Sequence, residues 1–456
     1  MTKKSLTRLL SLLAALAMVA SACGGSDSAG TDAGSEGEST ETTAAPEEDS
    51  TETTEEAMDD ATETTEAAAE GASASADGVL TVGTLIPLTG DLAFLAPPEV
   101  AGSRLAVEDI NAAGGVLGAE VALVEADSGD TNVDIANPSV DTLLGQKADV
   151  IVGAASSAVS KLVIDKITSN NVIQFSMANT SPDFTTYDDN GLYFRTAPSD
   201  LLQGKVLANL VAEEGNASAS VIYRQESYGE GLANSFKENF EALGGSIDEF
   251  LPYAVDTENF DPEIDKLVAA DSDAIIVISF AEAGNILTTM NERGIGPTAK
   301  AVYGVDGFIE SADNNLSDPS ILEGLRGTLP SVDLATITTL TDRFEGAYGD
   351  TVDTLAYGAE TYDAIIITAL AAEVAGSDDP VLIAAEINGV TKDGEKCTEF
   401  AACKELIAAG TDIDYDGYGG PYEFVDAGEP AAASFRIVTY GAAGLDTSLD
   451  EYVFAS

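Results

Sequence analysis

The sequence predicts an α/β fold of two Rossmann-like lobes, each a mainly parallel sheet with helices on both faces. Three observations lead there. From Val79 onward, short β-branched runs alternate with helical stretches of 9 to 18 residues. The strand candidates, such as Val150-Ile151-Val152, are continuously apolar, as strands covered on both faces are. The alternation also comes in two series, each near domain size, the second beginning near Ser199.

Taken in order, Val79–Leu85 reads as the first strand, and a helix over Pro98–Ala113 ends at Gly114-Gly115, a C-cap pair. Strand Val121–Glu125, helix Val133–Leu144, strand Val150–Val152, helix Ala158–Thr168 and strand Val172–Ser176 complete the first series. The second runs helix Asp200–Glu213, strand Ala219–Tyr223, helix Gly229–Leu243 (ended by Gly244-Gly245) and strand Ser246–Leu251. Helix Pro262–Ala270, strand Ala274–Ser279, helix Ala283–Arg293 and strand Lys300–Tyr303 follow. Gly324–Val332 reads as a return strand, with helices over Ile337–Tyr348, Gly358–Ala375 and Pro380–Asn388. The end of the chain, Gly419–Val425 and Ala433–Tyr440, is β-rich. Ligands of open α/β sheets bind beyond the carboxyl ends of the strands, so a cleft between the two lobes is the expected site.

Residues 1–23 have the anatomy of an export signal. Lys3, Lys4 and Arg8 precede an apolar run from Leu9 to Val19, and Ala20-Ser21-Ala22 leads to Cys23. This resembles the lipobox of bacterial lipoproteins, in which the Cys23 thiol carries the lipid. Residues 24–77 are low-complexity Thr, Glu, Ala, Ser, Gly and Asp without Lys or Arg, and read as a disordered acidic tether. The body is therefore expected outside the cytoplasm, anchored to the cell membrane by lipid.

Composition excludes whole classes of chemistry. With 20 Lys+Arg against 79 Asp+Glu, the formal charge of −59 repels phosphate backbones and argues against nucleic acid as a partner. The chain has no His, which removes Ser-His-Asp and Cys-His mechanisms and the commonest zinc ligand. No P-loop, HExxH or GxSxG stands in it, so no enzyme, metal or cofactor is expected. After Cys23 only Cys397 and Cys403 remain, and in an exported chain they read as a local disulfide.

Polar residues cluster instead at strand ends. Gly153-Ala-Ala-Ser156-Ser157 follows a strand and opens a helix, where main-chain N–H groups and hydroxyls suit an anion, or where a serine merely caps the helix. In Phe175-Ser-Met-Ala178-Asn-Thr180-Ser-Pro182, the Ala178 carbonyl and Thr180 hydroxyl suit an ammonium, or form a plain turn.

Several segments in order then resemble the type 1 periplasmic substrate-binding proteins of ABC transporters, in the branched-chain (Leu/Ile/Val) amino-acid branch. They are Ile86-Pro-Leu-Thr-Gly90, Val107-Glu-Asp-Ile-Asn-Ala-Ala-Gly-Gly115, Gly153–Ser157, Thr180-Ser-Pro182, Phe194-Arg-Thr-Ala-Pro-Ser-Asp200 with Gln203-Gly204, and Ser227-Tyr-Gly-Glu-Gly-Leu232. The resemblance runs from about Val79 to the C-terminus. It implies that Ser157, with Ser156 beside it, and Thr180 hold a ligand carboxylate, while the Ala178 carbonyl accepts from the ammonium. Asp306, in Tyr303-Gly-Val-Asp-Gly307, stands where an acidic residue of the second lobe completes the ammonium site. Many relatives carry Glu there, and the shorter Asp leaves the head group open. Tyr228 is expected at the cleft edge, with Phe280 and Leu95 in the apolar wall.

The resemblance further implies three hinge crossings, near Ala197–Ser199, Leu329–Val332 and Ala431–Ala433. They divide the chain into lobe 1 (79–198 and 331–431) and lobe 2 (199–330 and 432–456). The implied activity is capture of an amino acid, branched-chain or otherwise aliphatic, by a monomer that delivers it to an ABC permease. Alternatives with the same fold are an amide, urea or small aliphatic acid as ligand, or a role as ligand sensor.

Overall fold

The computed structural model describes residues 76–130, 133–314 and 316–456, all within one compact unit, Ala68–Ser456. The export signal, Cys23 and nearly all of the acidic tether lie outside the described residues. Two large sheets organise the rest. The first has five parallel strands in the order Ala122–Asp127, Thr81–Ile86, Val150–Gly153, Ile173–Ser176, Tyr193–Arg195. In the second, Ser246–Tyr253, Ser218–Arg224, Ala274–Ile278, Ala301–Val305 and Arg326–Pro330 run parallel, and Ala433–Gly441 closes on the last of them antiparallel. Glu451–Ala455 and Gly444–Leu445 add short antiparallel pairings beyond it. This is the α/β, parallel-sheet architecture that the alternation predicts.

The chain passes between the sheets three times: after Tyr193–Arg195, after Arg326–Pro330, and before Ala433–Gly441. Residues of all three passages (Thr196 and Pro198; Pro330 and Ser331; Pro430 and Ala432–Ser434) surround one small cavity. Passage residues thus lie side by side, with Pro198, Pro330 and Pro430 each fixing φ in one of them.

The first-sheet body is held by two helices that touch backbone to backbone. A side-chain carbon at Gly102, in helix Ala96–Ala112, would lie 2.2 Å from the Gly358 carbonyl oxygen of helix Gly358–Ala375. Nearly all of Gly358–Ala375 is buried, which explains its apolar, unpatterned sequence. Its C-terminus is set by Gly376 in the left-handed region. The Gly114-Gly115 and Gly244-Gly245 pairs lie just past helix ends, with Gly114, Gly115 and Gly244 at positive φ.

Three local readings are corrected. The helix expected over Ile337–Tyr348 is two pieces, Thr338–Thr341 and Phe344–Tyr348. Thr338, Thr339 and Thr341 are weak helix formers, and Arg343 at the break is pulled to Asp109 by two 2.8 Å hydrogen bonds. In Gly419–Val425 only Gly420–Pro421 is strand. The helix Phe400–Ala408 and the strand Glu451–Ala455 go unannounced in the sequence reading. Cys397 and Cys403 are joined, with Cα atoms 5.5 Å apart, and tie that helix to strand Glu395–Cys397.

Candidate functional site

Two loops of the first sheet build one side of a cavity between the sheets. Gly153 ends its strand where a side-chain carbon would meet the Leu85 carbonyl at 2.1 Å, so only glycine lets the next loop turn there. Ser156 caps helix Ser157–Thr168, accepting from the Val159 N–H at 3.4 Å. Asn179 Nδ2 donates to the carbonyls of Ala154 (3.0 Å) and Ala155 (2.9 Å), which locks this loop to the loop after Ile173–Ser176. The Ser181 N–H adds a bond to Ser157 Oγ at 3.3 Å. Beneath them the Arg195 guanidinium donates to the carbonyls of Asn179 (3.1 Å) and Ser181 (2.7 Å) and pairs with Glu429. The loops are thus held by buried polar bonds before any ligand arrives.

The second sheet supplies the facing side. Glu226 accepts from the N–H groups of Tyr228 and Gly229, both at 2.9 Å, and so starts helix Ser227–Ala242. Tyr228 stacks on Phe280, ring centroids 5.3 Å apart. Asp306 follows strand Ala301–Val305 and is 7% exposed. Its Oδ1 accepts from Gln203 Nε2 and the Tyr228 hydroxyl, both at 2.9 Å; its Oδ2 accepts from the Tyr357 hydroxyl at 2.8 Å. Burial pushes the Asp306 carboxyl up, and these three donors pull it back. Burial and Asp306 hold both tyrosine hydroxyls well above their ordinary range, so they remain donors.

Leu92, Leu95, Ala155, Ser156, Ser157, Ala178, Tyr228, Phe280, Asp306, Gly307 and Tyr357 surround this single cavity. It encloses about 20 Å³, room for one water-sized body, within about 290 Å³ counted out to its mouth. Of the residues expected at the site, Ser156, Ser157, Ala178, Leu95, Tyr228, Phe280 and Asp306 all line it. Thr180 does not; it is buried, and its hydroxyl serves the Asp200 carboxyl instead. One reading changes: Tyr228 is 3% exposed, inside the wall rather than at the cleft edge.

Tyr357, Gln203 and Asp200 escape the sequence reading as site residues. Tyr357 sits at φ +59, rare for a non-glycine residue, at the start of Gly358–Ala375, and no local pattern announces that. Gln203 is visible only as part of the Gln203-Gly204 segment. Asp200 is fully buried, with the Thr180 hydroxyl and the Arg195 charge favouring its ionised form. Burial, then Asp306, pushes its carboxyl well up.

A second acidic group lies one helical turn deeper. Glu99 follows Leu95 by four residues and Glu360 follows Tyr357 by three. Burial raises the Glu360 carboxyl to about 8, helped by Asp363 and Glu310, and burial with Glu360 raises Glu99 well above its ordinary value. A carboxyl raised on folding gives its full stability below its unfolded value and loses it as pH climbs to the folded value. Stability is therefore expected to fall from about pH 5 to about 8 at Glu360, by about 1.4 kcal/mol per pH unit. Melting temperature followed against pH should flatten by about one proton's slope in Glu360→Gln; an unchanged slope would mean Glu360 ionises freely in the fold.

Two α/β bodies joined by three adjacent passages, with a cavity between them that is mainly apolar and carries a few polar groups, define the class of two-lobed solute-binding proteins. The chain belongs to the periplasmic binding protein family, whose model matches residues 79–444. It is similar to the "Chemotactic signal transduction system substrate-binding protein BasB" of Halobacterium salinarum, 27% identical over 381 residues, 81% of this chain and 88% of that one. It is also similar to "Leu/Ile/Val-binding protein homolog 1" of Brucella suis, 28% identical over 363 residues, 76% and 89% of the two chains. Among solved structures, LivJ of Streptococcus pneumoniae in complex with isoleucine superposes with a TM-score of 0.68 at 22% identity, covering 82% of this chain and 99% of LivJ. A solute-binding protein of R. palustris in complex with benzoate superposes at 0.65 and 17% identity, covering 83% and 96%. At such identities these two structures establish the fold. The family works outside the cytoplasm on small solutes, and its members are binding proteins, not enzymes. Among the described residues no helix is long and apolar enough to cross a membrane.

Proposed function

We propose that the chain is a lipid-anchored receptor that captures an aliphatic amino acid between its two bodies and delivers it to an ABC permease. The observation that carries this reading is the Asp306 carboxylate set across one cavity from Ser156, Ser157 and Ala178, with Leu92, Leu95 and Phe280 beside them. The helix N-terminus at Ser157 suits a ligand carboxylate. Asp306 and the Ala178 carbonyl suit an ammonium, and the leucines and Phe280 suit an alkyl side chain. The bodies part to admit the ligand and close on it, and Asp306 and Tyr228 act only when closed. Cys23 carries the anchor, and residues 24–77 form the tether.

Calorimetry of the purified full-length protein tests this against leucine, isoleucine, valine, other amino acids, and a panel of amides, ureas and small carboxylic acids. Saturable binding of an aliphatic amino acid is the expected result. Binding confined to compounds without an ammonium group would discard the role of Asp306. The similarity to BasB favours a second reading, in which the closed form reports its ligand to a signalling partner. Loss of uptake on deleting the gene, with directed movement intact, would decide for transport.

A further inference from the structure

Arg224 ends strand Ser218–Arg224, and its side chain is fully buried behind the cavity wall. Its guanidinium carbon lies 4.4 Å from the centroid of Phe280, which lines the cavity. Nη1 donates to Glu282 at 2.5 Å and stands 3.7 Å from an Asp91 carboxylate oxygen. Nε and Nη2 have no hydrogen-bond partner among the described residues. Asp91 belongs to the other body: it follows the first strand, Thr81–Ile86, and adjoins Leu92, a cavity residue. Its N–H donates to Asp130 at 2.6 Å, and its side chain is 44% exposed. Burial, Asp130 and Glu282 work against its charge, and Arg224 works for it.

From this geometry we infer that Arg224 is a positioning residue for ligand capture, holding Phe280 in the cavity wall and drawing Asp91 across the cleft as the bodies close. The inference rests on the cleft being the ligand site. One cation touches three things at once: the apolar wall, its own body through Glu282, and the opposite body through Asp91. A guanidinium suits this because its flat face stacks on a ring while its edge donates to carboxylates. The Asp91 arm is long and partly wet, so its pull must weaken as salt screens it. A ligand that displaces Phe280 moves Arg224 with it, so the Asp91 arm couples closure to the fit of the ligand side chain.

The test measures the affinity of the full-length protein for isoleucine and leucine from 0.05 to 1 M salt. It uses wild type, Asp91→Asn, Arg224→Lys and the double variant, with the melting temperature of each ligand-free protein. Asp91→Asn is expected to weaken binding about 3- to 10-fold at low salt, with the deficit vanishing at high salt and the ligand-free melting temperature unmoved. In Arg224→Lys the further loss caused by Asp91→Asn should shrink, because the two act on one contact. Equal affinity of Asp91→Asn and wild type at every salt concentration would overturn the inference while leaving the cleft as the site. A salt-independent loss that tracks a lowered melting temperature would overturn it too, as a folding effect. Failure of wild type to bind either amino acid would overturn the inference together with the amino-acid reading.

Discussion

Asp306→Ala is expected to weaken amino-acid binding by roughly 2–5 kcal/mol, about 30-fold to several-thousand-fold, the scale on which a buried hydrogen-bonded charge is missed by its partner. Asp306 accepts three hydrogen bonds, from Gln203, Tyr228 and Tyr357, on a carboxylate with about four acceptor positions. An arriving ammonium takes the remaining position or displaces a tyrosine. Either way it meets a carboxyl whose charged form is opposed by burial and favoured by its three donors, and the ammonium adds to the favourable side. Alanine removes that charge and leaves the Gln203 amide and two hydroxyls facing an apolar gap. The variant is informative only beside a ligand that lacks the ammonium. Calorimetry with leucine and with its 2-hydroxy acid analogue separates the effects: the amino acid should lose most of its affinity, the hydroxy acid much less. Equal losses would mean that the substitution damages the cavity as a whole, and that Asp306 is not the ammonium ligand. Asp200 sharpens the contrast, because removing Asp306 takes away a like charge that helps push up its neighbour's carboxyl.

How much of this could be read from the chain depends on whether the cause is local. Helix Asp200–Glu213 is legible to the residue because Ser199 caps it, its Oγ accepting from the Leu201 N–H. Helix Gly358–Ala375 is legible at its end because Gly376 takes the left-handed conformation. The parallel sheets are legible because strands buried on both faces need unbroken apolar runs. The Ser156–Ser157 and Ala178–Thr180 loops are legible as polar residues at strand ends, although Thr180 stays outside the cavity lining. The partners of Asp306 are not, since positions 203, 228 and 357 meet only when both bodies are folded and adjacent. The break at Arg343 is equally hidden: its cause is Asp109, 234 residues earlier in the chain. Arg224 falls just past the strand read over Ala219–Tyr223, and nothing near it announces Asp91.

Gly231→Ala is expected to have effects of opposite sign on folding and on binding. Gly231 lies inside helix Ser227–Ala242, where glycine costs about 1 kcal/mol relative to alanine. Something must offset that cost, and it is across the cleft. A side-chain carbon at Gly231 would lie 2.5 Å from Pro182 Cδ, closer than real contacts allow, and the other nearest atoms also belong to Ser181 and Pro182. Pro182 opens the short turn of helix Pro182–Thr186 on the first-sheet body, and its ring cannot rotate away. The same edge carries the Ser181–Ser227 hydroxyl pair at 2.8 Å and the bond from Ser227 to Asp183 at 3.1 Å. With the bodies apart, alanine meets none of these atoms and simply favours the helix. With the bodies together it is a wedge, and overpacking of this kind costs roughly 1–3 kcal/mol. Ligand affinity should therefore fall about 5- to 150-fold, with faster release, while the ligand-free protein melts at the same temperature or slightly higher. Melting scans with and without leucine measure both effects on one sample. A lowered melting temperature in the ligand-free protein would place the Pro182 contact in the resting fold and remove it from closure. Unchanged affinity would mean that the bodies grip their ligand without bringing this edge together.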